Sequence, residues 1–183
     1  MGRVFESISP DVERFVAGQP VFFVATAPRS DDGHVNCSPK GLDTFRVLGP
    51  NQVAYLDLTG SGAETVAHVR ETGRITLMFC AFDGKPNIVR LYGRARVIAW
   101  DHPESEPFRA LFPAFRAARS IVDVDVHRVS TSCGYGVPVF RLEGDRPQLL
   151  DWAERKGDAG LREYWRDHNA TSIDELPALG DPP

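Results

Sequence analysis

Apolar residues along this chain fall into short runs that are rich in β-branched and aromatic side chains and are separated by turn-forming residues. Runs of this length and composition predict β-strands rather than helices. Five such strands precede residue 101 and predict a meander, in which consecutive strands are neighbours. A sixth strand follows a helical interruption. The predicted strands are Val21–Ala27, Val35–Pro39, Gln52–Leu58, Arg74–Phe82, Ile88–Trp100 and Ile121–Ser130.

Helix signals occur before the first strand and between the third and fourth strands. Ser9 is a typical N-cap residue, Pro10 suits the first helical position and Gly18 is a typical stop, so a short helix is predicted between them. The segment Glu64–Thr72 has apolar residues at helical spacing and is followed by Gly73, which predicts one or two helical turns.

Three further helical segments are predicted after the fifth strand. In Glu104–Arg119, four apolar side chains have the spacing i, i+3, i+4 and i+7, and Pro113 inside this pattern predicts a kink or a split. Pro147–Lys156 and Leu161–His168 predict two short C-terminal helices. The tail Leu176–Pro183 is rich in Pro and Gly, and we expect it to be an arm or disordered.

Length and charge narrow the class of protein. A chain of 183 residues with 42% hydrophobic content can bury a full core, which predicts one domain over residues 1–183. Within it, the predicted strands place the barrel at about 20–131, and the C-terminal helices form an extension at about 147–183. The formal net charge of −4 and the absence of long Lys/Arg runs argue against nucleic acid or an anionic membrane as a partner.

Cysteine usage indicates a reducing compartment. Cys37, Cys80 and Cys133 are odd in number, far apart and without a CxxC motif, so we expect free thiols and no metal site. No stretch approaches the roughly 20 apolar residues of a membrane span. The N-terminus has acidic residues where a signal peptide has its apolar core, which predicts a cytoplasmic protein.

The second predicted strand has an unusual sequence. Pro39 lacks a backbone donor and Gly41 weakens the strand end, so this strand should lie at a sheet edge or face something other than a strand. Free backbone groups there could bind a planar heteroaromatic ligand such as an isoalloxazine, although a simple strand-ending turn would explain the same residues. The candidate cofactor-binding residues here are Asn36, Cys37, Ser38, Pro39 and Lys40.

The segment from Asp57 to Thr65 is a small, hydroxyl-rich loop that opens directly into a predicted helix. Backbone N–H groups and the positive end of the helix dipole make such a junction a potential anion site, to which Thr59, Ser61 and Thr65 could add hydroxyl donors. Helix capping alone is the structural alternative.

Two later segments are also candidates. The two glycines around Tyr135 would let the backbone approach a ligand and expose the ring for stacking, or they could simply form a surface loop. Arg90, Arg94 and Arg96 alternate on one face of a long strand, either as a solvated face or with an arginine that reaches a phosphate across a dimer interface. Cys37 and Cys133 have no neighbouring His, which argues against a nucleophilic role.

Taken together, these segments resemble the pyridoxamine 5′-phosphate oxidase-like split-barrel family over about residues 20–130. The resemblance lies in the Ser-Pro-Lys-Gly strand, the Gly/Ser loop with its short helix, and the runs Gly73–Phe79 and Arg90–Val97. It implies a mainly β fold with flanking helices, a six-stranded antiparallel Greek-key split barrel, and a homodimer with FMN in two clefts at the dimer interface.

The same resemblance implies roles for individual residues. Asn36–Lys40 matches the flavin-facing strand, and further cofactor contacts are expected at Leu58, Thr59, Gly60, Ser61, Glu64, Thr65, Arg90 and Tyr135. Where the oxidases carry an Arg-Lys pair at the helix start, this chain has Glu64 and Thr65, so a phosphate there needs compensation by Lys40, Arg74 or a partner-chain arginine.

The family's C-terminal substrate-binding signature is also not recognisable in Gln148–Pro183. The sequence therefore predicts an FMN-dependent oxidoreductase of a separate subgroup, acting on an unidentified small molecule in a pocket shaped partly by Tyr135 and Trp152. The alternatives are a non-catalytic flavin- or haem-binding module and a deazaflavin-dependent reductase of the same fold. No catalytic residue is assigned.

Overall fold

A computed structural model describes residues 2–179, and an antiparallel sheet of eight strands dominates it. All six predicted strands are present, which confirms the mainly β fold. Two strands, β1 and β4, were not predicted. The strands are β1 (Arg3–Phe5), β2 (Phe22–Thr26), β3 (Asn36–Lys40), β4 (Phe45–Gly49), β5 (Gln52–Leu58), β6 (Arg74–Cys80), β7 (Ile88–Ala99) and β8 (Ala118–Ser132).

The strand order is β3-β2-β6-β7-β8-β5-β4, with β1 paired to β8. The predicted five-strand meander is therefore wrong, because β2 pairs with β6 and β5 pairs with β8. Helix α2 (Glu64–Thr72) connects β5 to β6 and carries the chain from one part of the sheet to another. This crossover leaves β3 at one edge of the sheet and β4 at the other.

The inner face of the barrel is filled by interlocking aromatic rings. Phe22, Phe45, Tyr55 and Phe79 lie with ring centroids 4.8–5.7 Å apart. Contacts at this range stabilise a core beyond the burial of apolar area. Strand β4 contributes Phe45 to this cluster, so its short run becomes a strand through packing that the sequence pattern alone does not reveal.

The two earlier helix predictions are confirmed. Helix α1 (Pro10–Ala17) is capped by Ser9, whose hydroxyl accepts a hydrogen bond from the Val12 N–H. Helix α2 ends as predicted at Gly73, where φ is +66° and a residue without a Cβ is favoured.

The long helix predicted over Glu104–Arg119 is wrong. The segment forms a 3₁₀ turn at Pro103–Ser105 and a single helical turn, α3, at Glu106–Arg109. Pro113 has no N–H to continue the helix and disfavours helical geometry in the residue before it. Phe108, Phe112 and Phe115 pack instead on a satellite core cluster that includes Leu56 and Ile121, whereas Leu111 is exposed.

The C-terminal helices form one interrupted element, α4 (Gln148–His168), which breaks at Gly157 with φ +65° and ψ 173°. This agrees with the two short helices predicted. The tail prediction is wrong for Leu176–Leu179, because Pro177 bridges to Thr171 and Ala178 is buried against α2. Residues 180–183 of that predicted arm lie outside the described residues. Across residues 2–179, no helix combines the length and apolarity needed to cross a membrane.

Candidate functional site

Strand β3 is an edge strand, as its sequence predicted, and within residues 2–179 it pairs only with β2. A proline is tolerated at an edge because its missing donor can face away from the ladder. Cys37 and Pro39 are exposed on the outer side, whereas Asn36, Ser38 and Lys40 alternate with them and are half-buried. The edge strand therefore offers an open outer face and a polar inner face.

In the part of the chain that the structure describes, no side chain caps the N-terminus of α2. Its N-cap residue is Ala63, which has no hydrogen-bonding side chain, and the loop before it contains exposed Ser61. The backbone N–H groups of a first helical turn have no partner within the helix and carry the positive end of the helix dipole. An uncapped terminus preceded by Gly and Ser residues fits an anionic group such as a phosphate.

A hydrogen-bond network joins the edge strand to α2. The Asn36 side-chain amide donates to the Thr65 hydroxyl at 3.0 Å and to the Thr26 hydroxyl at 3.3 Å. The Thr26 hydroxyl in turn lies 3.0 Å from Nδ1 of His68. The structure thus brings together Asn36 and Thr65, two residues that the sequence placed in separate motifs.

Three buried polar atoms near this network have no hydrogen-bond partner within residues 2–179: Ser38 Oγ, Tyr55 Oη and His68 Nε2. Burial lowers the pKa of His68 and, with the charge of Asp57, raises the pKa of Tyr55, so both are neutral at pH 7. Unpartnered buried polar atoms are uncommon in folded proteins. A polar ligand bound beside β3 would be consistent with the free Ser38 hydroxyl.

A buried charge cluster lies beneath the loop that precedes α2. The Asp57 carboxylate is 2.6 Å from the Arg119 guanidinium and 3.4 Å from the Lys40 ammonium. Burial would raise the pKa of Asp57, but the charges of Arg119 and Lys40 outweigh it and hold the pKa below its usual value. Two cations around one carboxylate leave a positive charge near the loop. Sequence reasoning missed Arg119, whose partners are distant in the chain.

Arg119 and Asn169, the residue that follows α4, hold the loop before α2 by hydrogen bonds to its backbone. Arg119 donates to the Gly62 carbonyl and to the Asn169 side-chain oxygen, both at 3.0 Å. The Asn169 amide donates to the Gly60 carbonyl at 3.1 Å. The loop backbone is therefore fixed through its carbonyl groups.

The Thr59 hydroxyl is already used within the protein. It donates to the Ala117 carbonyl at 2.8 Å and accepts from the Trp165 indole N–H at 2.9 Å. Thr59 is 2% exposed, so its hydroxyl is not free to serve as the ligand donor that the sequence suggested. Leu58 packs among apolar residues of two core clusters, and exposed Ser61 is the hydroxyl left at the loop surface.

The remaining predicted residues lie elsewhere on the sheet surface. Arg90, Arg94 and Arg96 share the outer side of β7, but Arg96 is paired with Asp123 and Glu104. Arg90 donates to the Ser132 hydroxyl at 3.2 Å.

The two aromatic residues expected to shape the substrate pocket have other surroundings. Tyr135 is 82% exposed, in a segment that packs beside the β6–β7 turn through Phe140 stacked on Phe82. Trp152 packs edge-on against Tyr164 of the same helix, with ring centroids 5.0 Å apart.

A surface cavity of about 460 Å³ lies on the outer side of the sheet, next to the residue that precedes β3. Thr26, Val35, Arg74, Tyr92 and Arg94 contribute to its lining. Thr26 also belongs to the Asn36 network, so the cavity and the edge strand are contiguous. Arg74, which the sequence proposed as a compensating cation, lines this cavity.

The strand order, the exposed edge strand and the helices around the sheet define the class of split-barrel proteins. Residues 8–133 match the family described as pyridoxamine 5′-phosphate oxidase. The chain is 41% identical over 192 residues to the pyridoxamine 5′-phosphate oxidase family protein ustO of Aspergillus flavus, covering 96% of this chain and 77% of that protein. The chain therefore belongs to the pyridoxamine 5′-phosphate oxidase family, as the resemblance predicted.

Solved structures share the fold at low sequence identity. A Lactobacillus delbrueckii protein provisionally named as a pyridoxamine 5′-phosphate oxidase has a TM-score of 0.53 and 18% identity, covering 68% of this chain and 94% of that chain. A FAD-binding protein from Mesorhizobium loti has a TM-score of 0.50 and 13% identity, covering 72% of this chain and 95% of that chain.

The Glu64 carboxylate folds back over Gly62, where the Cβ of any other residue would collide with it. A carboxylate there competes with an external anion for the α2 N-terminus. If the phosphate of FMN binds at this terminus, Glu64→Gln is expected to strengthen FMN binding by about 1 kcal/mol, or roughly fivefold, because a like charge is removed. Calorimetric titration measures this, and riboflavin, which has no phosphate, is the control ligand. An equal gain for riboflavin would contradict a phosphate at this position.

Proposed function

We propose that this protein is an FMN-dependent oxidoreductase that works as a homodimer and acts on a small molecule. The observation that carries the proposal is the uncapped N-terminus of α2, held beside the exposed edge strand by the Asn36–Thr65 hydrogen bond. The start of α2 offers N–H donors for a phosphate, and strand β3 offers backbone groups for the edge of a planar ring. Membership of the pyridoxamine 5′-phosphate oxidase family supports the same assignment.

Different residues would bind the phosphate end and the ring end of the cofactor. The amides of Gly60–Glu64 and the Ser61 hydroxyl would hold the phosphate, and the edge of β3 from Asn36 to Lys40 would face the ring system. When bound, the flavin supplies the electron-transfer chemistry. The protein's own contribution is to bind it, to orient the ring and to fix the charges around it.

Electrostatics support an anionic cofactor in spite of Glu64. The two positive charges of Lys40 and Arg119 exceed the single negative charge of Asp57. A further cation, Arg74, lines the neighbouring cavity. The Lys40 side chain is 21% exposed and is anchored by Asp57 at the end of β3. From there its ammonium would stabilise negative charge on a nearby ring or phosphate.

A second copy of the chain is part of the proposal. The outer face of β3 leaves Cys37 and Pro39 exposed, and a partner subunit would complete the cleft over it. All three cysteines are free thiols, which is consistent with a reducing compartment such as the cytosol.

Ligand analysis and hydrodynamics test the proposal together. The purified protein should release FMN on denaturation, and light scattering should give about twice the chain mass of 20.3 kDa. Bleaching of the bound flavin by a reduced nicotinamide would favour an oxidoreductase over a passive binding module. A monomer that binds FMN tightly, or a protein with no affinity for any flavin, would contradict the assignment.

A further inference from the structure

A cavity of about 1,020 Å³ lies where the end of β7, the start of β8 and the second half of α4 meet. Cavities that hold small organic ligands have volumes of roughly 300–1,000 Å³, so this one is large enough for a ligand much larger than a single inorganic ion. None of the residues proposed to contact FMN lines it.

The cavity lining is strongly basic, although the whole chain has a formal net charge of −4. Among residues 2–179, three acidic residues line the cavity beside its arginines. The lining arginines are Arg70, Arg96, Arg116, Arg119, Arg162 and Arg166.

Half of these guanidinium groups are already neutralised and half are not. Arg96, Arg116 and Arg119 form ion pairs with carboxylates. Arg70, Arg162 and Arg166 form no ion pair and no side-chain hydrogen bond with any of residues 2–179. Arg162 and Arg166 are four positions apart on α4, so they project on the same side of the helix. Arg70 faces the same cavity from α2.

Two tryptophan rings also line this cavity. Trp165 is held in place by its hydrogen bond to the Thr59 hydroxyl. Trp100 lies under the Arg109 guanidinium, 5.5 Å from the ring centroid. Indole rings and guanidinium planes both favour stacking with a planar ligand.

We propose that this cavity is a second ligand site, separate from the flavin cleft, for a planar aromatic molecule that carries a multiply charged anionic group, as a nucleoside polyphosphate does. Arg70, Arg162 and Arg166 bind the anionic group, because a guanidinium makes paired hydrogen bonds to phosphate or carboxylate oxygens. Trp100 and Trp165 contact the ring.

The test uses the full-length protein with ATP as the probe and compares it with tripolyphosphate and adenosine. ATP should quench the tryptophan fluorescence saturably, and both fragments should bind at least about tenfold more weakly, since each lacks one of the two recognised groups. An Arg162→Ala/Arg166→Ala double variant should lose ATP affinity by about tenfold or more. Arg155→Ala on the same helix, outside the cavity, should bind ATP like the wild type.

FMN affinity distinguishes this site from the flavin cleft. It should be unchanged in the double variant, and saturating FMN should not displace ATP. The second site is ruled out if ATP does not bind, if FMN displaces it, or if the double variant binds ATP as the wild type does. Tripolyphosphate binding as tightly as ATP would show that the ring is not recognised. The ATP, tripolyphosphate and adenosine titrations do not depend on whether the protein binds flavin at β3.

Discussion

Arg119→Met is expected to lower the free energy of unfolding by about 3–5 kcal/mol, the usual cost of removing one partner of a buried ion pair. The side chains of Arg119 and Asp57 are 4% and 1% exposed, so solvent cannot replace the lost guanidinium. The variant would also lose the hydrogen bonds to Gly62 and Asn169, which fix the loop before α2. Denaturant unfolding followed by circular dichroism measures the loss.

The destabilisation should depend on pH in a defined direction. In the wild type the folded pKa of Asp57 is lowered, so the stability contributed by this carboxylate is complete above its ordinary pKa and is lost as the pH falls through the lowered value. Without Arg119, Lys40 is the one cation of this cluster that still offsets the effect of burial, so the pKa of Asp57 is expected to rise. The variant can then protonate Asp57 in mild acid, and its deficit relative to the wild type should be smaller near pH 4.5 than at pH 7.

Two further variants serve as controls for this cluster. Lys40→Met should cost less, because Lys40 is the more distant and more exposed cation. Adding Asp57→Asn to Arg119→Met should recover part of the loss, since no uncompensated charge remains buried. If the Arg119→Met deficit is the same at both pH values and in both Asp57 backgrounds, the charge pairing is not its cause.

Ser61→Asp is expected to weaken FMN binding by about 1–3 kcal/mol, or roughly 5- to 150-fold. Ser61 is exposed at the uncapped start of α2, where an added carboxylate would repel the phosphate and occupy its N–H donors. Calorimetric titration of the protein with FMN measures the change.

The matched control is Ser61→Asn, which has nearly the same size and polarity as Asp but no charge, and which should bind FMN almost as the wild type does. Riboflavin should bind the Asp variant and the wild type alike. An Asp variant that keeps full affinity for FMN would move the phosphate away from this loop.

Local signals were sufficient for several elements of the fold. Helix α2 and strand β5 have the predicted bounds, and Gly73 ends α2 in the left-handed conformation expected of a glycine stop. These features depend on residues that are neighbours in sequence. The helix predicted from the apolar spacing of Phe108–Phe115 is wrong because tertiary contacts override a local signal. The spacing suits a helix, but Pro113 and packing on the satellite core favour another conformation.

In the candidate site, too, some features follow from local residue type and others from tertiary contacts. The sequence by itself determined that Asn36–Lys40 is suited to a sheet edge and that a Gly/Ser loop opens into α2, because both depend on local residue type. Only the tertiary structure decided that Asn36 bonds to Thr65, that the Thr59 hydroxyl is bound by Trp165, and that Arg119 pairs with Asp57. These contacts join residues 29, 106 and 62 positions apart. Hydrophobic patterning along the chain carries no information about which distant polar groups meet, because they are brought together by the order in which strands pair.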